Sequence, residues 1–302
     1  MQTLSVVISA FNEEKKLSRV LSSVQWADEI IVVDNQSTDS TAQIAKQFGA
    51  TVLVRNNNQM LNTNKNFGFE HVTKDWILNL DGDEEVTEAL AKEIQQTIHE
   101  NTGVNGFWIP RKNIIFGKWI QHGLWWPDKQ LRLFKKGKGK FPCLHIHEYL
   151  SVEGVTENLK EPYIHYNYET VSQYLRKLDL IYTENEAMNL RNKGYTPIWH
   201  DAIRMPIGDF VKVFFFQEGY KDGLHGLVLS LLQAFYSLIV FIKVWEFEKY
   251  KEQEISLKEI QKELLRSQKE VRYWEKTAQL TETNHPIKKL LVKFQRKYVS
   301  NS

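Results

Sequence analysis

The chain of 302 residues has a single cysteine and no excess of charge of either sign. One cysteine, Cys143, excludes an internal disulfide and a zinc site built from several cysteines, and it fits a reducing compartment. Lysine and arginine number 39 against 37 aspartate and glutamate, a formal net charge of +2. Because domains that bind nucleic acid through bulk charge are strongly basic, we expect no nucleic-acid partner.

Two nucleotide-binding motifs and a targeting signal are also missing. No G-x-G-x-x-G follows the first apolar run and no G-x-x-x-x-G-K-[ST] occurs, which disfavours dinucleotide oxidoreductases and P-loop NTPases. The first apolar run ends after Phe11 without a basic segment before it, so we expect a cytoplasmic N-terminus without a secretory signal. Apolar residues at 42% and charged residues at 25% are close to globular averages, and the length allows one or two domains.

The first hundred residues alternate between strand and helix patterns. Short apolar runs predict strands at 4–9, 29–33, 51–54 and 75–80. Amphipathic segments between them predict helices, one of which is expected to begin at Ser37–Asp39. This alternation predicts an α/β fold with a mostly parallel central sheet that is covered by helices on both faces.

Polar residues follow three of these strands, at the carboxyl edge where open α/β sheets bind ligands. The third such segment contains Asp81 and Asp83, which are one residue apart and can face one cation together. Hard oxygen ligands suit Mg²⁺ or Mn²⁺. The alternative is an acidic helix start, because carboxylates favour helix N-termini. The stretch Asp34–Thr41 likewise either presents a carboxylate to a nucleoside or forms a turn and helix cap.

Three segments stand in a characteristic order and spacing: Val7–Glu13, Val32–Asp39 and Leu80–Glu84. Together they resemble the family 2 glycosyltransferases, which have a GT-A fold and bind nucleotide sugars. The later Gln130–Phe134 and His147–Glu148 resemble a bacterial subgroup that includes the lipopolysaccharide core β-1,4-glucosyltransferases. A region from Gly223 to Glu246 extends that resemblance, which does not reach the charged helix and basic tail that follow.

The resemblance implies a nucleotide pocket at the ends of the first two strands. Ser9, Phe11 and Glu13 fall where the family lines this pocket, with Phe11 in place of the more usual tyrosine. Asp34 matches the first aspartate of the family's Asp-Asp pair. Asn35 replaces the second, so an amide would contact the base and the choice of nucleotide stays open.

The resemblance also implies a site for the diphosphate and the metal. Lys65 matches the basic residue that contacts the diphosphate. Asp81 and Asp83 match the DxD motif, in which Asp81 also contacts the ribose and both bind Mg²⁺ or Mn²⁺. Arg132 either clamps phosphate through two hydrogen bonds or faces solvent from its strand.

Inversion at the anomeric carbon needs a base that takes the proton of the acceptor hydroxyl. Family 2 enzymes use a carboxylate for this, and Glu148 is the candidate because it follows a strand and the basic segment 111–140. A salt bridge to a nearby lysine is the alternative. The adjacent His147 is either a metal ligand or a structural histidine.

The run from Leu224 to Ile242 carries no formal charge and is 19 residues long, just enough to span a bilayer. With Phe210–Phe216 before it, this run suits attachment to a membrane surface, and a buried helix pair or a true span are the alternatives. The cluster of Trp119, Trp125 and Trp126 stacks on sugar, contacts lipid or packs in the core.

We divide the sequence into a GT-A catalytic domain at 1–165, a helical membrane-interfacial region at 166–246, and a charged helix with a basic tail at 247–302. Within the first, 1–100 is the nucleotide half and 101–165 the acceptor half. The predicted helix at 246–280 places apolar residues near heptad a and d positions, which allows self-association through 247–280.

Taken together, these patterns and the resemblance predict an inverting, metal-dependent hexosyltransferase. It moves a sugar from a nucleotide-sugar donor to a membrane-associated glycan or glycolipid acceptor, in lipopolysaccharide core or cell-surface glycan synthesis. We expect it at the cytoplasmic face of the inner membrane as a peripheral protein. The alternatives are a polyprenyl-phosphate glycosyltransferase and a non-catalytic scaffold that associates through the charged helix.

Overall fold

The structure, a computed structural model, describes residues 2–56, 61–100, 103–143 and 149–301. Contacts between residues divide the chain into two compact units. Unit 1 contains Met1–Ile114 and Trp126–Asn167, and unit 2 contains Ile115–Trp125 and Tyr168–Ser302.

Twelve strands occur in the described parts of the chain. They are β1 (Leu4–Ala10), β2 (Glu29–Asp34), β3 (Thr51–Val54), β4 (Trp76–Asp81), β5 (Glu84–Val86), β6 (Gly106–Ile115), β7 (Lys118–Trp119), β8 (Asp128–Lys135), β9 (Gly139–Lys140), β10 (Ser151–Val152), β11 (Thr156–Asn158) and β12 (Tyr163–Tyr168). Ten of them belong to one mixed sheet, in which eight follow each other in the order β3-β2-β1-β4-β8-β6-β12-β5. β3, β2, β1 and β4 run parallel, β8 pairs antiparallel with both β4 and β6, and β11 runs parallel to β6.

Four helices accompany this sheet in unit 1: α1 (Leu17–Ser23), α2 (Thr41–Gln47), α3 (Leu61–Glu70) and α4 (Glu88–Glu100). Successive residues of β1 belong to different cores, with Val6 and Ile8 in one and Val7 in the other. On the Val7 side α3 lies very close to the sheet, since a Cβ atom on Gly68 would be 2.6 Å from Cγ1 of Val7. The predicted α/β fold with helices on both faces of the sheet is confirmed.

The predicted start of the second helix at Ser37–Asp39 is wrong, because α2 begins at Thr41. The residues before it bond elsewhere. The backbone N–H of Ser37 donates to Oδ1 of Asp34 at 3.1 Å, and that of Thr38 donates to Oδ1 of Asn12 at 2.8 Å. These bonds hold the segment as a loop against the end of β1, which delays the helix.

Unit 2 is mainly helical. Its helices are α5 (Val171–Lys177), α6 (Glu184–Asn192), α7 (Asp201–Val211), α8 (Leu224–Phe247), α9 (Leu257–Glu282) and α10 (Pro286–Asn301). A π-helical turn at Leu178–Thr183 joins α5 to α6. Trp125 packs edge-on against Tyr168 with ring centres 6.4 Å apart, as part of an apolar cluster.

The predicted charged helix at 246–280 is displaced, since α8 continues to Phe247 and α9 begins only at Leu257. A capping box fixes this start. Oγ of Ser256 accepts from the Glu259 N–H at 3.2 Å, and the Glu259 carboxylate accepts from the Ser256 N–H at 3.1 Å. On the heptad face, Leu257 and Leu264 are exposed.

Within the described residues, α8 is the one helix that is long and apolar enough to cross a membrane. One of its faces is buried and includes small and polar side chains. Ser237 and Gln233 donate hydrogen bonds to Oδ2 of Asp209 on α7. The opposite face exposes Leu231 and Phe235. α8 therefore packs on one side and presents an apolar stripe on the other.

Candidate functional site

The parallel register brings the ends of β1, β2 and β4 to one edge of the unit 1 sheet. Ser9 stands opposite Asp81, and Ala10 stands opposite Asp34. Here the buried Asn35 amide donates to Oγ of Ser9 at 3.1 Å and accepts from Nδ2 of Asn64 at 2.5 Å. These two bonds use one N–H and one lone pair of the amide, so a contact with a nucleotide base, as predicted, would use the remaining ones.

The loop after β1 carries the other residues predicted for the nucleotide pocket. The Phe11 ring is 40% exposed and can stack on a planar ligand. The Glu13 N–H donates to Oγ1 of Thr41 at 2.8 Å. Its side chain lies against Gly82, where a Cβ atom would be 2.9 Å from Cγ of Glu13. The close approach of these two loops places Glu13 beside the Asp81–Asp83 turn.

Asp81 lies between two cations. Its Oδ1 is 2.5 Å from Nζ of Lys65 on α3, and its Oδ2 is 3.0 Å from Nη2 of Arg132 on β8. Burial alone would raise the pKa of Asp81, but the charges of Lys65 and Arg132 outweigh it and hold this pKa far below its usual range. These two cations therefore stabilise the ionised form of Asp81.

Arg132 also holds a second carboxylate. Its Nη2 lies 2.5 Å from Oε1 of Glu84, which is fully buried and accepts the Asp81 N–H at 2.9 Å through Oε2. Burial raises the pKa of Glu84 to about 7, with Arg132 opposing the rise and Asp81 adding to it. The alternative of a solvent-facing Arg132 is wrong, because its side chain is buried among these groups and Tyr163.

Asp83 points to a different set of partners. Its Oδ1 lies 3.7 Å from Nε2 of His165 on β12. The Nδ1 atom of the same ring is 2.8 Å from Oδ1 of Asn113, an acceptor, so Nδ1 carries the proton when the ring is neutral. Asn113 in turn donates to Asp128 at 3.3 Å, and Nε of Arg111 donates to the same oxygen at 2.7 Å. These bonds orient His165 toward the DxD turn.

The described residues contain no group of three or more histidine, cysteine or acidic side chains that could hold a metal ion. They supply the two carboxylates of Asp81 and Asp83. Two carboxylates fit Mg²⁺ or Mn²⁺, because these ions complete their coordination shell with phosphate oxygens and water. Both oxygens of Asp81 face cationic side chains, so an ion here would compete with Lys65 and Arg132.

A cavity of about 330 Å³ opens beside this cluster within unit 1. It is lined by Asn62, Lys65, Asp81, Arg111, Gln130, Leu131, Arg132, Phe141, Tyr149 and Leu150. Three of these side chains are cationic and one is acidic, so the cavity favours an anion. The predicted base Glu148 and its neighbour His147 lie outside the described residues, and the next two residues in the sequence line the cavity.

The family model described as Glycosyl transferase family 2 matches residues 5–150, which carry this sheet edge and cavity. Residues 5–150 form a family 2 glycosyltransferase domain.

Among similar proteins is an uncharacterized glycosyltransferase of Rickettsia typhi, 28% identical over 82% of this chain and 88% of its own. A lipopolysaccharide core biosynthesis glycosyltransferase of Rhizobium meliloti is 24% identical over 80% of this chain and 92% of its own. The crystal structure of S. aureus TarS 1-349 aligns with a TM-score of 0.42 and 15% identity, over 84% of this chain and 94% of that one. At that score the structure adds nothing to the assignment.

Several site residues of the glycosyltransferase were not singled out by the sequence patterns. Arg111 was counted only among the cations of 111–140, and Glu84 only as part of the acidic turn. Asn64 and His165 lie in segments without a recognisable motif. The one available signal was the alternation of β12, which places His165 and Tyr163 on the same face of the strand.

Proposed function

We propose that this glycosyltransferase moves a sugar, with inversion, from a nucleotide-sugar donor to a hydroxyl of a membrane-associated glycan or glycolipid. The observation that carries the proposal is the cavity of unit 1, which is lined by the cations Lys65, Arg111 and Arg132 and by one carboxylate, that of Asp81. Such a cavity matches a diphosphate, whose charge grows as the sugar departs. Fixed cations stabilise that charge most effectively in the transition state.

The donor would bind at the edge formed by β1, β2 and β4. The exposed Phe11 ring provides a stacking surface for the base, and the carboxylate of Asp34 lies at the end of β2 for the ribose or base. The diphosphate would take over the hydrogen bonds that Lys65 and Arg132 now make to Asp81. Because arginine can bond two phosphate oxygens at once, Arg132 also orients the leaving group.

The metal in this proposal is Mg²⁺ or Mn²⁺, held by Asp81 and Asp83. When bound, such an ion supplies additional positive charge to the diphosphate oxygens. The carboxylate of Asp83 lies at the same turn as Asp81, with Nε2 of His165 3.7 Å from its Oδ1.

Glu148 is the proposed base. It would take the proton of the acceptor hydroxyl while the hydroxyl oxygen forms a bond to the anomeric carbon and the bond from that carbon to the diphosphate breaks. The products are the glycosylated acceptor, the nucleoside diphosphate and a protonated Glu148. Tyr149 and Leu150, the next two residues, line the cationic cavity, which supports an active-site position for Glu148. A Glu148→Gln variant is expected to lose at least about a hundred-fold in kcat while it still binds donor.

Two observations support the proposed class of acceptor. The Rhizobium meliloti relative is described as acting in lipopolysaccharide core biosynthesis, which favours a core saccharide. In unit 2, the exposed apolar stripe of α8 favours attachment to the surface of a membrane, where such acceptors are found. We propose the cytoplasmic face of the inner membrane, where nucleotide sugars are available.

Donor binding is tested by thermal shift with nucleoside diphosphates, with and without Mn²⁺. We expect stabilisation by a nucleoside diphosphate that is largest when Mn²⁺ is present, because a ligand that binds only the folded state raises its stability. Asp83→Asn should remove the effect of Mn²⁺ and keep the smaller stabilisation that Lys65 and Arg132 provide. Equal shifts with and without Mn²⁺ in the unaltered protein would exclude the metal.

The acceptor class is tested by donor turnover with a core oligosaccharide or with polyprenyl phosphate. Turnover with the oligosaccharide supports the proposal, and turnover with polyprenyl phosphate alone would replace it. If a Glu148→Gln or Asp83→Ala variant retained full cellular function, the chain would act as a scaffold and not as an enzyme.

A further inference from the structure

The helix α10 at the end of unit 2 exposes a continuous apolar face. Ile287, Leu290, Leu291 and Phe294 follow the i, i+3, i+4, i+7 spacing that places side chains on one side of a helix. Their exposed fractions are 66, 70, 59 and 73%. A helix that used this face for the core of its own unit would bury it, so these four side chains serve another purpose.

The other side of α10 is the one that contacts the rest of unit 2. Val292 and Arg296, one turn apart, are half-buried. The Arg296 guanidinium lies 5.6 Å from the centre of the Tyr273 ring on α9. With 3.6 residues per turn, these two residues point away from the apolar face. α10 therefore packs on α9 through the side opposite its apolar face, and the apolar face stays exposed.

The charge of α10 indicates what covers that face. Between Pro286 and Asn301 there are five lysines and arginines and no acidic residue. The turn geometry places Lys288 along one border of the apolar face and Lys293 along the other. A second copy of α10 would bring like charges together, whereas an anionic surface would meet complementary charges along both borders.

We propose that α10 lies in the surface of an anionic membrane, with its apolar face among the acyl chains and its lysines at the phosphate headgroups. This site is separate from the donor site, and its test does not depend on the proposed function. Apolar burial and a basic patch are two different contributions to binding, and the combination gives the stable attachment that one alone does not. Each lysine near such a surface strengthens binding by about five-fold.

The test is flotation of the full chain with vesicles of phosphatidylcholine, alone or with about one-third phosphatidylglycerol. We expect strong binding to the anionic vesicles that weakens as salt is added, because salt screens the headgroup charge. The variant Lys288→Gln/Lys289→Gln/Lys293→Gln should bind anionic vesicles at least about ten-fold more weakly. The control Lys46→Gln/Lys92→Gln/Lys258→Gln removes the same charge from exposed positions on other helices and should bind as the unaltered chain does.

The apolar contribution is tested by Leu290→Ser/Phe294→Ser. Both side chains are exposed, so circular dichroism and the thermal transition should be unchanged while binding to anionic vesicles is largely lost. The comparison variant Leu231→Ser/Phe235→Ser alters the stripe of α8 instead. It should weaken binding to neutral and anionic vesicles alike and preserve the preference for the anionic ones.

Two results would overturn the proposal. One is equal binding of the α10 variants and the unaltered chain to anionic vesicles. The other is an unaltered chain that does not bind vesicles and sediments as a dimer, while Leu290→Ser/Phe294→Ser sediments as a monomer. The apolar face would then bind a second copy of the chain.

Discussion

Arg132 places its Nη2 atom 2.5 Å from Oε1 of Glu84, a carboxyl group with no exposed surface. The two residues are 48 positions apart in the sequence and belong to β8 and β5, two strands that are not paired with each other. Because the same Nη2 also reaches Asp81 at 3.0 Å, one guanidinium connects the buried carboxylate to the edge at which the donor is proposed to bind. The stability and the function of the site therefore depend on the same side chain.

Arg132→Met is expected to destabilise unit 1 by about 3 kcal/mol or more, because it leaves Glu84 buried without its partner. The double variant Arg132→Met/Glu84→Leu should recover much of this loss, since two apolar side chains of similar volume can replace a buried pair. Urea denaturation measures the free energy of unfolding of both variants. Arg55→Met, at an exposed arginine of unit 1, is the control and should cost little. A double variant as unstable as the single one would contradict this account.

The Nζ atom of Lys65 is closer to the Asp81 carboxylate than Arg132 is. The Lys65 side chain is mostly buried and lines the cavity. Lys65→Gln is expected to weaken binding of a nucleoside diphosphate by about ten- to a hundred-fold, as the loss of a charge-assisted hydrogen bond does. Binding of the nucleoside without phosphates should not change. Isothermal titration with both ligands checks this, with Lys46→Gln as the matched control. If the nucleoside were affected as strongly, Lys65 would act on the base or ribose.

Glu29 predicts a pH dependence that is remote from the site. Burial alone would raise the pKa of Glu29, but hydrogen bonds from Ser5 and from Thr73 outweigh it, so the pKa lies below its ordinary value of 4.5. A lowered pKa contributes stability at pH values above 4.5, and this contribution is lost as the pH falls through the pKa of the folded state.

Glu29→Gln should therefore lower the free energy of unfolding by about 1 kcal/mol at pH 7. The difference from the unaltered chain should shrink below about pH 4.5. Urea denaturation at a series of pH values measures it. A difference that stays constant down to pH 3 would show that Glu29 acts through packing and not through its charge.

Gly226 of α8 makes a close approach in unit 2. A Cβ atom at this position would lie 1.7 Å from the carbonyl oxygen of Gly219, which belongs to the backbone and cannot rotate away. Gly226→Ala is expected to cost about 2–3 kcal/mol. Gly208 of α7 is the matched control, because it is also helical and has no atom within 4 Å of an added Cβ. Gly208→Ala should be neutral or stabilising by up to about 1 kcal/mol, since alanine favours helix more than glycine does. Thermal unfolding compares the two.

Local patterns of the sequence predicted most of the sheet in unit 1. The first strands are continuous apolar runs, and β1, β2, β3 and β4 lie within about a residue of the predicted ranges. Such runs report burial on both faces directly, because each residue of a central strand contacts one core or the other. Helix starts were less predictable, since the polar groups of Ser37 and Thr38 bond to Asp34 and Asn12 and not to a helix of their own.

The sequence by itself determined which residues are chemically able to serve the site: the acidic turn after β4, the polar ends of β1 and β2, and the cations of 111–140. Only the tertiary structure decided which of them meet. Lys65, Asp81 and Arg132 come from α3, β4 and β8, and no local period relates them. The tertiary structure also engaged both ends of the Asn35 amide and buried Arg132 on Glu84. Spacing along a chain predicts faces of helices and strands, whereas contacts between elements depend on the packing of the whole sheet, which brings distant residues together and removes water from between their charges.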